Sequence, residues 1–372
     1  MANIDDMLSF IERLSSSSRF AGSKGSSDSR ELIISHLTGA GYKYDLHHTT
    51  VPKWSIDRAP VIEFLTPQKM IVSGIPAIFS SPTPPEGIKG KIIRSGTLTM
   101  LESFDWERYA IISENGVISG YLISTSYGAQ MQPLPKDAEK LPYVILDSDT
   151  LEKMKRWIES GQDVAIHVKN PTVIEGSSGL VNIITEEPEK KPYALVCAHY
   201  DTVFGTKGAH DNASGVAVAL ELAKKNIPCR FAFFDGEELN KAGSYAFVTE
   251  LKKNGILKDI SFVLEIDAVG AGDEIALLCS QELNKKLQKL KEQVLKKCIT
   301  NCKVSISRQQ KIGFSDVWPF MQEGIPVVRM LARGDAGKNI MHADNDTIDK
   351  IDSNTLSAAY EIAFAVAQLE VR

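Results

Sequence analysis

Histidine and carboxylate residues recur in short clusters in the second half of this 372-residue chain. The clusters are His199-Tyr200-Asp201, His210-Asp211, Asp235-Gly236-Glu237-Glu238, Asp267 and Met341-His342-Ala343-Asp344. Imidazole nitrogens and carboxylate oxygens are the ligands that zinc, cobalt and manganese bind in proteins. Carboxylates gathered in one place repel each other unless a cation neutralises them. The residue types therefore indicate a metal centre that activates water.

Each of these residues also has an ordinary structural interpretation. Asp211 could cap a helix that begins at Ala213, and Glu237 and Glu238 could form a solvated first helical turn, which the helix dipole favours. His342 could be a surface loop histidine. We favour the metal centre because the polar groups fall at the ends of consecutive predicted strands or in loops that can reach the same edge.

The adjacent carboxylates Glu237 and Glu238 suggest two different roles in the same site. One of them can bind metal while the other, left uncoordinated, takes a proton from water. Asp201 follows His199 by two residues and is placed to accept the second ring N–H of that histidine. No Gly-x-Ser-x-Gly motif argues for a serine nucleophile.

The elements that must position these residues follow an α/β pattern after Gly179. Short apolar runs, typical of strands buried on both faces, alternate with amphipathic segments. The predicted strands are 194–198, 230–234, 262–266, 275–278 and 327–331, and the predicted helices are 213–225, 243–254, 282–298 and 354–370. We predict an α/β fold with a mixed, largely parallel sheet and helices on both faces. Side chains that follow such strands share one edge of the sheet.

Residues 61–169 have a different pattern, in which strand-like segments are separated by proline and glycine. This pattern predicts a small β-rich domain inserted into a catalytic domain that is formed by residues 1–60 and 170–372.

Charge and composition argue against several classes of protein. The chain has 42 Lys and Arg against 47 Asp and Glu, a net charge of −5, which is a poor basis for binding nucleic acid. No apolar run approaches the roughly 20 residues that span a bilayer. The first residues lack the pattern of a secretory signal, and the five cysteines are scattered without a CxxC motif. We therefore expect a cytoplasmic protein without a membrane partner; the oligomeric state is not predicted.

Taken in order, the segments resemble the co-catalytic di-zinc aminopeptidase family, which includes aminopeptidase Y and glutamate carboxypeptidase. An N-terminal segment, residues 19–23, also resembles the entry motif of that family. The blocks that carry the resemblance are Ala198-His199-Tyr200-Asp201-Thr202, residues 208–215, Phe234-Asp235-Gly236-Glu237-Glu238 with Gly243-Ser244, residues 265–270, Ser315-Asp316 with Trp318-Pro319-Phe320, Gly324-Ile325-Pro326 and residues 341–347. The resemblance implies the fold of the zinc exopeptidases, and residues 61–169 resemble the protease-associated domain often inserted in this family.

The resemblance also implies a role for each site residue. The implied ligands of two divalent ions, most often zinc with cobalt or manganese as alternatives, are His199 and Asp267 for one ion, Glu238 and His342 for the other, and Asp211 for both. Glu237 would be the general base, acting on a water bridged by the two ions, and Asp201 would support His199. The expected reaction is hydrolysis of the N-terminal bond of a peptide substrate.

The sequence departs from the family pattern at two positions. Many relatives carry a tyrosine, which can stabilise the oxyanion, where this chain has Met341, and Tyr200 and Tyr245 are alternative donors. Relatives often carry histidine after the Ser-Asp pair, where this chain has Val317. Neither departure removes an implied metal ligand.

Other functions remain open at this point. A carboxypeptidase-like exopeptidase would need a cationic group for the substrate carboxylate, for which Arg329 and Arg333 are candidates. A single-zinc acyltransferase similar to glutaminyl cyclase would need fewer ligands than this chain provides. A non-catalytic receptor on the same fold is the least favoured alternative, because the base and all five ligand positions are filled.

Overall fold

The structure is a computed structural model, and it describes residues 3–100, 104–124, 131–292, 302–310, 312 and 315–370. The chain divides into two compact units, one of Met1–Val51 with Gly179–Arg372 and the other of Pro52–Ser178. The predicted domain boundaries, after residues 60 and 169, lie inside the second unit. The difference arises because two long strands, Tyr44–Ile56 and Thr172–Thr185, continue across the division.

Sixteen strands are found among the described residues. In chain order they are β1 (Tyr44–Ile56), β2 (Val61–Thr66), β3 (Met70–Val72), β4 (Gly74–Pro76), β5 (Ile88–Met100), β6 (Phe104–Ile112), β7 (Ile118–Ser124), β8 (Tyr143–Leu146), β9 (Ala165–Lys169), β10 (Thr172–Thr185), β11 (Tyr193–His199), β12 (Cys229–Phe234), β13 (Ile260–Ile266), β14 (Glu274–Cys279), β15 (Lys303–Arg308) and β16 (Val327–Arg333).

The α-helices of the described residues number nine. They are α1 (Ile4–Leu14), α2 (Lys24–Gly39), α3 (Ser148–Glu159), α4 (Ser214–Ala223), α5 (Ala242–Lys253), α6 (Gln281–Leu290), α7 (Val317–Gln322), α8 (Asp335–Lys338) and α9 (Ser353–Ala367). The end of the predicted helix 282–298 lies outside the described residues from position 293 onward.

The first unit is built on an eight-stranded sheet with the order β1-β10-β12-β11-β13-β16-β14-β15. Its four central strands, β12, β11, β13 and β16, are parallel to one another. Strands β10 and β14 pair antiparallel on either side of this group, and β15 is parallel to β14. The predicted mixed, largely parallel sheet is therefore confirmed.

Helices cover both faces of this sheet, as predicted. Along β11 and β12 successive side chains alternate between two apolar cores, as the pleat of a strand requires. Val196 and Phe233 pack in a core with α1, α2, α4, α6 and α9, whereas Leu195 and Phe234 pack in a second core with α5 and α7. Because both faces are buried, these strands are largely apolar, with His199 at the end of β11 and Arg230 in β12 as the exceptions.

The second unit is β-rich. Its eight-stranded sheet has the order β3-β2-β9-β5-β6-β7-β8-β4 and is antiparallel except for the pairing of β7 with β8. Helix α3 packs on one face through Leu151 and Met154. A second apolar cluster contains Trp106, Tyr121 and Tyr143. No helix of the described residues is both long and apolar enough to pass through a membrane.

Candidate metal centre

Three neighbouring parallel strands deliver the predicted polar residues to one edge of the sheet. His199 is the last residue of β11 and is in register with Phe234, the last residue of β12. Glu237 and Glu238 follow β12 after a turn, and Asp267 directly follows β13. The strands are parallel, so their carboxyl ends meet at the same edge.

Asp211 reaches this edge from an irregular turn, Ala209–Ala213. Its backbone is extended (φ −117°, ψ 94°), and that of the following residue, Asn212, is also non-helical (φ −134°, ψ 43°). The turn is held by Asp346, whose Oδ1 accepts the His210 N–H at 2.7 Å and whose Oδ2 accepts the Asp211 N–H at 3.0 Å. His342 enters from the loop after α8 with a left-handed backbone (φ 59°).

The side chains of five predicted ligands converge, and Asp211 is shared between two histidines. Its Oδ1 lies 3.2 Å from His199 Nε2, and its Oδ2 lies 3.2 Å from His342 Nε2. His199 Nε2 also lies 3.3 Å from Asp267 Oδ1. His342 Nε2 lies 3.2 Å from Glu238 Oε1. Each imidazole nitrogen thus faces two carboxylates, one of which is common to both.

These contacts define two overlapping groups of possible ligand atoms. The groups are His199 with Asp211 and Asp267, and Asp211 with Glu238 and His342; within each, the atoms lie within 4.8 Å of one another. A third group joins Glu237 to His199 and Glu238. Two imidazoles and three carboxylates, almost wholly buried, are a donor set that suits zinc, cobalt or manganese. The residues present therefore fit two adjacent divalent ions that share one carboxylate.

The electrostatics of the pocket favour cations. Burial alone would lower the pKa of His199, but Asp201, Asp211 and Asp267 raise it well above its usual value. Burial would raise the pKa of Asp211, but His199 and His342 hold it well below its usual range. Asp211 therefore stays ionised and stabilises positive charge on both histidines, an arrangement that favours the binding of a dication.

Glu237 differs from the ligand carboxylates in its surroundings. It is only partly buried, whereas Glu238 is 4% exposed. Burial, together with the nearby charges of Glu238 and Asp316, raises the pKa of Glu237 well above its usual value. A carboxylate with a raised pKa accepts protons more readily near neutral pH. The environment of Glu237 suits a general base.

Asp201 holds the backbone that carries both glutamates. Its Oδ1 accepts the Glu237 N–H and its Oδ2 accepts the Glu238 N–H, each at 3.1 Å. The same Oδ1 lies 3.5 Å from His199 Nδ1. The sequence predicted only the contact with histidine; the structure adds that Asp201 also fixes the turn on which the adjacent glutamates lie.

Arg329 on β16 is engaged with carboxylates of the centre. Its Nε and Nη2 lie 3.0 and 2.5 Å from Asp267 Oδ2, and its Nε lies 3.5 Å from Glu265 Oε2. Arg333, at the end of the same strand, lies 3.9 Å from Glu274 and is 46% exposed. The role of substrate-carboxylate anchor, considered above for both arginines, is disfavoured by these pairings.

The departures from the family pattern have different structural outcomes. Tyr200 is fully buried, and its hydroxyl lies 2.7 Å from Val181 O and 3.2 Å from Asp235 Oδ2. It is thus committed to the interior and is a poor donor to an oxyanion. Tyr245 is partly buried on α5 and stays a candidate. Val317 is fully buried in the second core of the sheet, an apolar setting that suits valine.

Sequence reasoning missed the supporting role of Asp346, and it named Arg329 as a candidate anchor for a substrate carboxylate without assigning it a partner in the centre. The sequence placed Asp346 in one of the family blocks but gave it no role. Its partners are backbone N–H groups, which every residue except proline carries, so no residue type in the sequence marks them. Arg329 could have been suspected from the alignment of β13 with β16, since Glu265 and Arg329 are in register on adjacent strands.

Comparison with known proteins agrees with this geometry. The sequence profile of peptidase family M28 matches residues 181–367, half of the chain and all of the strands that carry ligands. The chain belongs to peptidase family M28. This confirms the family predicted from the ordered sequence blocks.

Curated relatives of this M28 protein include aminopeptidase YwaD of Bacillus subtilis (strain 168) and leucine aminopeptidase 2 of Trichophyton tonsurans. The first is 35% identical over 108 residues, 27% of this chain and 23% of that protein. The second is 25% identical over 301 residues, 73% of this chain and 58% of that protein. The alignments thus span less than two thirds of either relative.

Solved structures similar to the M28 protein share its fold over nearly the whole chain. An aminopeptidase from Aneurinibacillus sp. strain AM-1 has a TM-score of 0.74 at 18% identity and covers 99% of this chain and 94% of its own. BSAP, described as a zinc aminopeptidase from Bacillus subtilis, has a TM-score of 0.73 at 21% identity, covering 98% and 94%. The predicted fold class is confirmed.

Proposed function

We propose that this protein is a metal-dependent aminopeptidase that binds two divalent ions, with zinc as the expected metal. The observation that carries the proposal is the shared carboxylate of Asp211, whose two oxygens each face a different histidine at 3.2 Å. Relatives and structural neighbours named as aminopeptidases, and one described as a zinc enzyme, support the same conclusion.

The proposed ligands are those that the geometry brings together. They are His199 and Asp267 for one ion, Glu238 and His342 for the other, and Asp211 for both. When bound, the metal supplies Lewis acidity, which polarises a peptide carbonyl and lowers the pKa of water. Arg329 restrains Oδ2 of Asp267, so only Oδ1 is left to face His199 and the metal.

Glu237 carries out the proton transfers in this proposal. A carboxylate oxygen of Glu237 accepts one proton from the attacking water, while the oxygen of that water forms a bond to the peptide carbonyl carbon. Glu237 then returns the proton to the departing amine nitrogen, and the C–N bond breaks. Asp201 keeps Glu237 in place during both transfers through the backbone hydrogen bond at 3.1 Å.

The alternatives raised by the sequence are less well supported. A carboxypeptidase needs a cation for the substrate carboxylate, but Arg329 is paired with Asp267 and lies close to Glu265. A single-zinc acyltransferase does not need the second group of ligands. A glutaminyl cyclase shares the fold at a TM-score of 0.55, but at 14% identity it says nothing about activity. A receptor has no use for a base at Glu237.

Two sequence-based expectations complete the proposal. Residues 61–169 are proposed as a protease-associated-like domain, and the β-rich character of the second unit supports this. Cytoplasmic residence stays a prediction, supported by the scattered cysteines of the chain.

The decisive experiment is a screen of aminoacyl-p-nitroanilides beside the same compounds with acetylated amines. We expect hydrolysis only of the free-amine compounds, loss of activity after dialysis against a chelator, and recovery with zinc. Hydrolysis of acetylated peptides from the carboxyl end would favour the carboxypeptidase alternative. Full activity at one zinc ion per chain, with cyclisation of N-terminal glutamine, would favour the acyltransferase. No metal-dependent activity in the screen would contradict the proposal.

A further inference from the structure

Arg19 lies in the segment that joins α1 to α2, and its side chain is completely buried. Among the described residues, the hydrogen-bond partners of its guanidinium are backbone carbonyls. Its Nε donates to Tyr200 O at 2.6 Å, and its Nη2 donates to Gly208 O at 2.9 Å. Its Nη1 donates to Lys207 O at 2.5 Å and to Leu14 O at 3.2 Å. One side chain near the start of the sequence thus binds three carbonyls of a segment about 180 residues later.

That segment, residues 200–208, joins two proposed metal ligands, His199 and Asp211. Arg19 binds the carbonyls at both of its ends, at Tyr200 and Gly208. The backbone N–H of Arg19 also donates to Thr202 Oγ1 at 3.0 Å, within the same segment. We call residues 200–208 the ligand loop. The separation of the two ligands depends on how this loop is held.

Asp346 holds the residues that follow the ligand loop. It accepts the N–H groups of His210 and Asp211, whereas Arg19 donates to carbonyls before them. A guanidinium therefore satisfies the carbonyl acceptors of the ligand loop, and a carboxyl group satisfies the N–H donors of His210 and Asp211, which follow the loop. The hydrogen bonds of the guanidinium are charge-assisted and so are stronger than those between neutral groups.

The packing around Arg19 leaves little freedom for the loop. Phe20 contacts Phe204 of the loop edge to face, with ring centroids 5.4 Å apart. Gly208 has a left-handed backbone (φ +60°), and a Cβ there would lie 2.9 Å from Arg19 Nη2 and 2.2 Å from Asp211 O. Only glycine allows the backbone to approach the guanidinium this closely.

We infer that Arg19 is a positioning residue for the metal centre: by fixing both ends of the ligand loop, it sets the relative position of His199 and Asp211. The guanidinium is suited to this because its donors point in fixed directions within one plane, whereas an ammonium offers a single point charge. Burial lowers the pKa of Arg19 to about 10, so it stays protonated at neutral pH. The inference rests on the metal centre proposed above.

The substitution Arg19→Lys tests this inference, since it keeps the charge but loses the planar donor set. The matched control is Arg13→Lys, the same change at an exposed position on α1. Zinc affinity is measured by competition with a chromogenic chelator, on protein that circular dichroism shows to be folded. The visible absorption of the cobalt(II)-loaded protein reports on ligand geometry without any turnover.

For Arg19→Lys we expect zinc affinity to fall about tenfold or more, with an altered cobalt spectrum, while Arg13→Lys behaves as the unsubstituted protein. If Arg19 serves only the stability of the fold, the folded variant binds zinc with unchanged affinity and gives an unchanged cobalt spectrum; that result overturns the inference. Failure of the unsubstituted protein to bind zinc would instead refute the proposed metal centre.

A second variant keeps the test decisive if Arg19→Lys does not fold. Thr202→Val removes the hydroxyl that accepts the Arg19 N–H and keeps the shape of the side chain. The control is Thr249→Val, an exposed position on α5. Weaker zinc binding by folded Thr202→Val supports the inference, and affinity equal to that of the control overturns it.

Discussion

The two nitrogens through which Arg329 binds Asp267 converge on a single carboxylate oxygen, Oδ2, at 3.0 and 2.5 Å. The other oxygen, Oδ1, faces His199 at 3.3 Å. The guanidinium therefore fixes which oxygen of Asp267 faces the centre. Loss of a group that orients a ligand in this way typically costs roughly 10- to 100-fold in metal affinity or activity.

Arg329→Lys should weaken zinc binding roughly 10- to 100-fold, because an ammonium cannot hold Asp267 through two donors. The measurement is competition with a chromogenic chelator. Arg333→Lys, on the same strand but half exposed, is the control and should have no effect. Equal affinity in the two variants would show that Arg329 does not orient the ligand.

Glu237→Gln should lower turnover by roughly 100- to 10,000-fold while the metal content stays unchanged, because the amide cannot accept the proton. Turnover is measured with an aminoacyl-p-nitroanilide and metal content by mass spectrometry. Glu250→Gln on α5, a half-exposed position, serves as the control. Near-full activity in Glu237→Gln would make the assignment of the base wrong.

Glu238→Ala and His342→Ala should each lower the metal content from about two ions per chain to about one, since each removes a ligand from the same group. The measurement is elemental analysis after dialysis at a fixed free zinc concentration, with Glu250→Ala as the control. An unchanged stoichiometry in both variants would refute these two ligand assignments.

Asp201→Asn should reduce metal affinity and turnover together, each by roughly 10- to 100-fold. An amide has one acceptor oxygen, so it cannot accept the N–H groups of both Glu237 and Glu238. Loss of both metal affinity and turnover would distinguish Asp201→Asn from Glu237→Gln, which should lower turnover alone. Asp28→Asn at an exposed position is the control. A variant that lost turnover but kept its metal affinity would contradict the proposed support of both glutamates.

Asp235 should make the fold more stable in acid than at neutral pH. Burial and the charge of Asp201 raise its pKa from 3.8 to about 7. The folded state therefore holds a proton that the unfolded state has released, so the stabilisation is complete below 3.8 and is lost as the pH rises through about 7. Urea unfolding of Asp235→Asn, compared with the unsubstituted protein, should remove this part of the pH dependence. Parallel stability profiles for the two proteins would contradict it.

The central sheet could be predicted because strands that are buried on both faces appear in the sequence as short, nearly continuous apolar runs. Every predicted strand after Gly179 lies within an observed one, for example 230–234 within Cys229–Phe234. Strand β10 was not predicted, because its first half, from Glu175 to Gly179, is polar and exposed and so lacks the alternation of a buried strand. Strand β15 was missed for a similar reason, since its side chains are only partly buried.

The metal ligands could be predicted from the sequence because neighbouring parallel strands have their carboxyl ends at the same edge of the sheet. His199, Glu238 and Asp267 follow three neighbouring strands, so the topology alone predicts that they meet. The supports of the centre were not predictable in this way. Arg19 and Asp346 act on backbone atoms, which are the same at every position, so no residue pattern in the ligand loop identifies their partners.

The position of Arg19 affects which fragments of this peptidase can form a complete metal centre. The part of the chain that carries the family signature, residues 181–367, contains every proposed ligand. It omits the guanidinium that binds the carbonyls of Tyr200 and Gly208. A recombinant fragment limited to residues 181–367 would therefore keep every proposed metal ligand. It would lose Arg19, which holds the loop between two of those ligands in position. The smallest working unit is accordingly larger than the segment by which the family is recognised.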